Sequence, residues 1–405
     1  MRSPARANSA KQSIRLLLAA RLIRSTWQGA LVADFALYLQ RLHWQGGSIG
    51  MLFAASFVIG AFLSLLVGPL SDRCGYQALL VGYEFVVALL FGLAAYCTDP
   101  WTIAIAAVLG GFGRGANGAP GCFVPAELAW LAALLPPPRR AEVFSLNAAV
   151  GFIGMTIGGM LAIGPDLWAH WLHGASAFRP LFVVGGTLSI ANACLLLVAP
   201  AGSRQGISGE CAVAPIVARQ GGVLFKVTAI NLCNGLSVGL SGPLIAFWFA
   251  TKFHVGPVQI GPIMMAGFLS AALSAAAISR LALRATAASI YVRMQWMSLL
   301  LLLLLPLLPT FSLAAAAWVV KFALERGAGG TMEAVNVGLA GPGRWGMASG
   351  LSVASLALPR SVGPALTGHW IATGSFTAPL VMAGVLQAAY LVLYGRAIGP
   401  RGAGA

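Results

Sequence analysis

Long apolar runs, each interrupted by a few polar, Gly or Pro residues, follow one another along almost the whole chain. Read between those breaks they fall near 20–40, 47–69, 77–97, 101–123, 143–164, 178–199, 224–250, 258–279, 287–308, 311–335, 347–370 and 376–396. Each run is about twenty residues long, the length at which an α-helix crosses the hydrocarbon core of a bilayer. A backbone in lipid must satisfy its own hydrogen bonds, so such runs predict helices. Breaks such as Cys97 to Trp101 and Leu308 to Phe311 are so short that consecutive helices must be antiparallel neighbours. The pattern predicts an all-α membrane protein with twelve spans.

Composition agrees. Of 405 residues, 59% are hydrophobic and only 9% charged, and the mean hydropathy is +0.85, too little charge for the surface of a soluble domain. The net charge of +15 forms no basic stripe with interleaved aromatics, so nucleic acid is not an expected partner. Instead, Arg and Lys gather at alternate loops. One side carries Arg2, Arg6, Lys11, Arg15, Arg21 and Arg24, then Arg73, Arg139, Arg140 and their successors to Arg401, whereas the other holds only Arg41, Arg179 and Lys252. The positive-inside rule places both termini in the cytoplasm.

The polar stretch between Ala199 and Gly222 divides the chain into two halves of six spans, and its Gly, Ser, Pro and Ala content suits a tether. The expected organisation is a basic cytoplasmic lead over 1–19, a first bundle over 20–199, a linker over 200–222, a second bundle over 223–397 and a tail over 398–405. The halves repeat each other. Ile49-Gly50, Phe57 and Arg73 reappear as Ile260-Gly261, Phe268 and Arg284, and RGANG (114–118) reappears as RGAGG (326–330), a shift of about 211 residues. Duplicated halves around a central site are a transporter architecture.

The stretch GPLSDRCGY, residues 68–76, resembles the loop signature of the major facilitator superfamily, through Gly68, Leu70, Asp72, Arg73 and Gly75. Tyr76 and Gln77 stand where the signature has two basic residues. RGANG resembles the fourth-helix signature of proton-coupled members, with Asn117 in place of Gln. The resemblance implies two pseudo-symmetric six-helix bundles rocking about a central cavity lined by the first, fourth, seventh and tenth helices. Arg114 and Arg326 would then face water and substrate. GFIGMTIGG (151–159) and the Gly-Pro-x-x-x-Gly after Arg360 are similar to an antiporter helix signature, although glycines at such spacing also serve plain helix packing.

Candidate chemistry follows from the charges left inside the spans, because a charge in hydrocarbon normally has a partner or a water-filled cavity. Asp34, in GALVADFALYLQ, has no local partner and is expected to bind a proton or a cationic substrate, or to bridge to Arg114. Lys321 and Glu325 stand at i, i+4 and can pair. Arg326, Arg360 and the hydrogen bonders Asn117, Asn231 and Asn234 complete the expected substrate and coupling set. Gly68, Asp72, Arg73 and Gly75 are expected to form a cytoplasmic latch, with Arg73 reaching Glu127 or Glu84. The six cysteines are scattered and His170 and His173 sit in an interfacial aromatic segment, so no metal site is expected.

No nucleophile, base and orienting group assemble and no phosphate-binding glycine loop exists, so an enzyme is not expected. The expectation is a monomeric secondary transporter of the bacterial inner membrane, without cofactor, that exports a small amphiphilic molecule against a proton gradient. Uptake of an organic anion bound by Arg114, Arg326 and Arg360 is the alternative. A non-transporting sensor would carry an added soluble domain or lack the cavity charges.

Overall fold

The computed structural model describes residues 4–114, 126, 127, 130, 131, 134, 135, 137–200, 232–281, 287–327 and 345–398. Each expected span overlaps a helix among the described residues. In the first half these are α1 (Pro4–Arg41), α2 (Gly46–Cys74), α3 (Tyr76–Tyr96), α4 (Pro100–Gly110), α5 (Pro137–Leu161) and α6 (Arg179–Val198). In the second half they are α7 (Leu232–Phe253), α8 (Pro257–Leu281), α9 (Ala287–Leu304), α10 (Phe311–Gly327), α11 (Trp345–Ala372) and α12 (Ala378–Ile398). Seven of the described helices are long and apolar enough to cross a membrane.

The repeat is visible in the backbone. α1 and α7 are both ended by a histidine in the left-handed region, His43 (φ 63°) and His254 (φ 55°), and the two positions differ by the same shift that relates Ile49 to Ile260. A left-handed residue redirects the chain within one step and so lets the next helix return antiparallel. α4 begins with a different device: Asp99 accepts the Thr102 amide at 2.8 Å and Pro100 follows at the first helical position. Those hydrogen bonds hold the exposed Asp99 carboxyl below its ordinary pKa.

At three places the helices add to the expected spans. The lead over 1–19 is helical from Pro4, because α1 runs 38 residues, about 57 Å at 1.5 Å per residue. Its first turns are anchored: Ser13 donates to the Pro200 carbonyl, and Leu17 and Ala20 are buried with Leu80, Trp130 and Leu196. The fourth span breaks at Gly110, where Gly111 caps it at φ 72° and Gly113 repeats the left-handed turn. The seventh span is interrupted at Gly242-Pro243 and resumes as Ile245–Phe253, since proline supplies no amide for the ladder.

Each bundle has an aromatic centre. Trp27, Phe35, Phe91, Phe112 and Phe182 interlock in the first, with Trp27 edge-on to Phe91 at 5.1 Å. Phe249, Phe311, Trp318 and Phe322 do so in the second. Between bundles the helices meet along α2 with α11 and α5 with α8. Here the contact is backbone to backbone: a Cβ on Gly50 would strike the Pro364 carbonyl, and one on Gly159 would lie 2.9 Å from the Met265 amide nitrogen. Both contacts lie toward the sparsely charged end, where α1 finishes and α2 begins.

Candidate functional site

The first bundle holds a buried ion cluster. Arg24 of α1, 2% exposed, donates from Nε to Glu84 of α3 at 2.7 Å and from Nη1 to Glu127 at 2.6 Å. Asn147 of α5 donates to the other oxygen of Glu127 at 2.8 Å, and Asn192 of α6 is buried beside Glu84. One turn earlier on α1, Arg21 is 8% exposed, and its Nε and Nη1 have no hydrogen-bond partner among the described residues. Its guanidinium fits because α5 presents Gly151, whose missing Cβ leaves the room. The planar fork of Arg24 is suited to two carboxylates at once.

Glu84 and Glu127, the expected partners of the latch residue Arg73, are therefore engaged by Arg24. Glu84, an acid inside an apolar span, demands a buried cation, and Arg24, which charge counting assigns with Arg21 to the cytoplasmic side, supplies it. Gly68, Asp72 and Arg73 lie in the last turns of α2, not in a loop, and Gly75 makes the turn to α3 at φ 88°. The side chains of Asp72 and Arg73 lie outside the described ones. Gln77, one of the two departures from the signature, donates to the carbonyls of Leu196 and Ala199 at 2.9 and 3.0 Å, tying this turn to the end of α6.

Arg114 does not face water in this structure. It is 6% exposed and packs into the notch left by Gly60 of α2 and Gly111. Nη1 donates to the Ser56 carbonyl at 2.9 Å and Nη2 to the Val108 carbonyl at 3.2 Å. The break at Gly111 turns the Phe112 amide back to Ala107, so Val108 loses its helical donor. Arg114 replaces that donor, and its positive charge sits at the negative end of a helix. The expected alternative of a bridge to Asp34 is not formed.

Asp34 is fully buried and neither carboxylate oxygen has a hydrogen-bond partner among the described residues. At about 100° per residue it falls roughly 20° from Trp27, which faces the aromatic centre, and about 40° from Ala30, which faces α5; those two contacts are observed. Asp34 thus lies on the seam between the first bundle's interior and α5.

The second bundle carries its own cluster. Lys321 and Glu325 pair across one turn of α10, and Arg326 reaches the other Glu325 oxygen at 3.3 Å. Arg360 of α11 stands close enough to interact with both Arg326 and Glu325. Beside the pair lies a small polar cavity of about 10 Å³, lined by Asn234, Ser237 and Ser241 of α7, Gln295 of α9 and Gln387 of α12. Gln387 donates to the Gln295 side chain at 3.1 Å. The structure thus brings Asn234, Glu325, Arg326 and Arg360 of the expected set together, and it keeps Asp34 and Arg114 apart from them. Asn117 and Asn231 lie outside the described residues. No group of three or more metal-ligating side chains occurs among the described residues.

This architecture is shared with known proteins. The structure superposes on that of the nucleoside transporter NupG with a TM-score of 0.71 at 13% identity, covering 96% of this chain and 99% of that one; the likeness is one of fold. A multi-drug resistance efflux pump PmrA homolog of Lactococcus lactis subsp. lactis is 27% identical over 168 residues, 40% of this chain and 38% of that protein. A gentisate transporter of Corynebacterium glutamicum is 28% identical over 141 residues, 35% and 28% of the respective chains. The matched stretch thus spans well under half the length of either relative. The Major Facilitator Superfamily model matches residues 17–226, more than half of the chain. The repeated bundles of helices among the described residues, the signature at 68–75 and this match together make the chain a member of the Major Facilitator Superfamily, a multi-pass membrane protein.

Proposed function

We propose that this transporter works by alternating access in a bacterial inner membrane, both termini cytoplasmic, and exports a small amphiphilic molecule in exchange for protons taken up at Asp34. The observation that carries this is the isolation of Asp34. Every other acid whose side chain is described has a partner: Glu84 and Glu127 have Arg24, Glu325 has Lys321, Asp99 has Thr102 and Asp166 has the Val258 amide. An ionised carboxylate without a partner in a low-dielectric interior is costly, and the group neutralises by binding a proton. A proton lost and regained as the bundles rock is what couples a gradient to transport. The efflux direction draws support from the similarity to a multi-drug efflux pump homolog.

The test is flux in proteoliposomes with an imposed pH gradient, over a panel of cationic, neutral and anionic compounds. Asp34→Asn should abolish gradient-driven accumulation while leaving substrate exchange measurable. Accumulation by Asp34→Asn equal to the parent's would remove Asp34 from the coupling. A second reading, transport of an organic anion, is favoured by the surplus of cations around Glu325, where Lys321, Arg326 and Arg360 face one carboxylate, and by the similarity to a gentisate transporter. In that case the anionic members of the panel alone should move, and Arg360→Gln should raise their KM.

A further inference from the structure

The start of α8 lacks a group that helix starts normally have. Its N-cap position is Gly256, which has no side chain, and Gln259 three residues on reaches back to the Gly256 amide at 2.9 Å. That is one half of a capping box. The other half, a side-chain oxygen accepting an amide of the first turn, comes from elsewhere: Asp166 Oδ2 accepts the Val258 amide at 2.8 Å. Asp166 belongs to a short helix, Gly164–Leu167, that follows α5, so it sits on the first bundle while α8 sits on the second. The same oxygen occupies space that a side chain on Gly256 would need, 2.9 Å from an ideal Cβ. A carboxylate at a helix N-terminus is favoured both by the hydrogen bond and by the helix dipole.

The contact therefore exists only while the two bundles are together at this end. The sparsely charged end is the outer one by the positive-inside rule, and here the backbones of Gly159 and Met265 are also in contact. We propose that Asp166 is an extracellular latch, a cap supplied by one bundle to the helix of the other, which holds the outer mouth shut and breaks when the transporter opens outward. The proposal rests on alternating access and on no particular substrate or coupling ion.

Spin labels at Thr98→Cys and Thr310→Cys, in a background with the six native cysteines replaced by serine, report the separation of the bundles at this end. Thr98 and Thr310 are exposed in the α3–α4 and α9–α10 connections. Asp166→Ala should add a longer-distance population, raising the open-to-closed ratio about 3- to 10-fold, the scale of a lost cap. Gly256→Ser gives α8 a cap of its own while displacing Asp166, so it should open the mouth without weakening the helix. Adding Asp166→Ala to Gly256→Ser should then change nothing more. Distance distributions of Asp166→Ala and Gly256→Ser that superpose on the parent's would overturn the latch, whichever compound the protein carries.

Discussion

Both bundles bury charge, but at different helices and in a different balance. In the first, Arg24 lies between Glu84 and Glu127, and with Arg21 nearby the set contains two guanidinium groups and two carboxylates. In the second, the single carboxylate of Glu325 is shared by Lys321 and Arg326 and approached by Arg360, next to a polar cavity. Arg24 spans both carboxylates and so ties α1 to α3, while part of the Arg21 fork stays unpaired among the described residues. A carboxylate approached by several cations has alternative partners within reach. On the proposed transport reading, the first cluster holds a bundle together and the second takes part in the cycle.

The largest effect is expected where the first cluster is broken from one side. Arg24→Met leaves two buried carboxylates without their cation and should cost about 3–5 kcal/mol, seen as a collapse of the unfolding midpoint of the purified protein. Combining Arg24→Met with Glu84→Gln and Glu127→Gln should recover most of that stability. If the combined variant is no better than Arg24→Met alone, the charge balance is not what holds these helices.

Glu325→Gln should separate stability from transport. It leaves the buried Lys321 and the neighbouring Arg326 without their carboxylate, so it too should cost about 3–5 kcal/mol, and Lys321→Met combined with Glu325→Gln should recover most of that. Gradient-driven flux in proteoliposomes should stay at least about tenfold down in the recovered double variant, equivalent to about 1.4 kcal/mol of barrier. Flux restored together with the unfolding midpoint would erase the distinction between the bundles.

The smallest effect belongs to Arg114, which neither cluster includes. Arg114→Met should cost about 1–2 kcal/mol by leaving the Val108 carbonyl without a donor. Lysine should restore part of the loss as a point charge at a helix C-terminus, without the second hydrogen bond. Adding Asp34→Ala should not rescue Arg114→Met, because the two side chains are not paired; a rescue in midpoint or flux would reinstate that pair.

The spans were legible because lipid imposes one length and one secondary structure on every apolar run. The repeat was legible in a few residues and extends further than they did, to a left-handed histidine at the same place in each half. What escaped sequence reading was local competition. Gly110 to Gly113 sit in a run apolar enough to continue as helix, yet successive left-handed glycines end it and create the carbonyl that Arg114 serves. Arg24 was hidden by the length of α1, since a helix starting at Pro4 carries into the bundle residues that charge counting assigns to its approach. The capping of α8 involved residues about ninety positions apart, with no motif to join them.

The glycine contacts along α2 with α11 and α5 with α8 have a consequence for the speed of the cycle. Surfaces that meet through bare backbone part without unthreading interlocked side chains, so separating them involves little rotamer rearrangement. One methyl group at Gly50 or Gly159 would act as a wedge driven into the joint. On the alternating-access proposal, a wedge there would leave each six-helix body intact and shift the resting point of the whole machine toward its outward-facing form, so the width of this seam would set which side of the membrane the protein waits on.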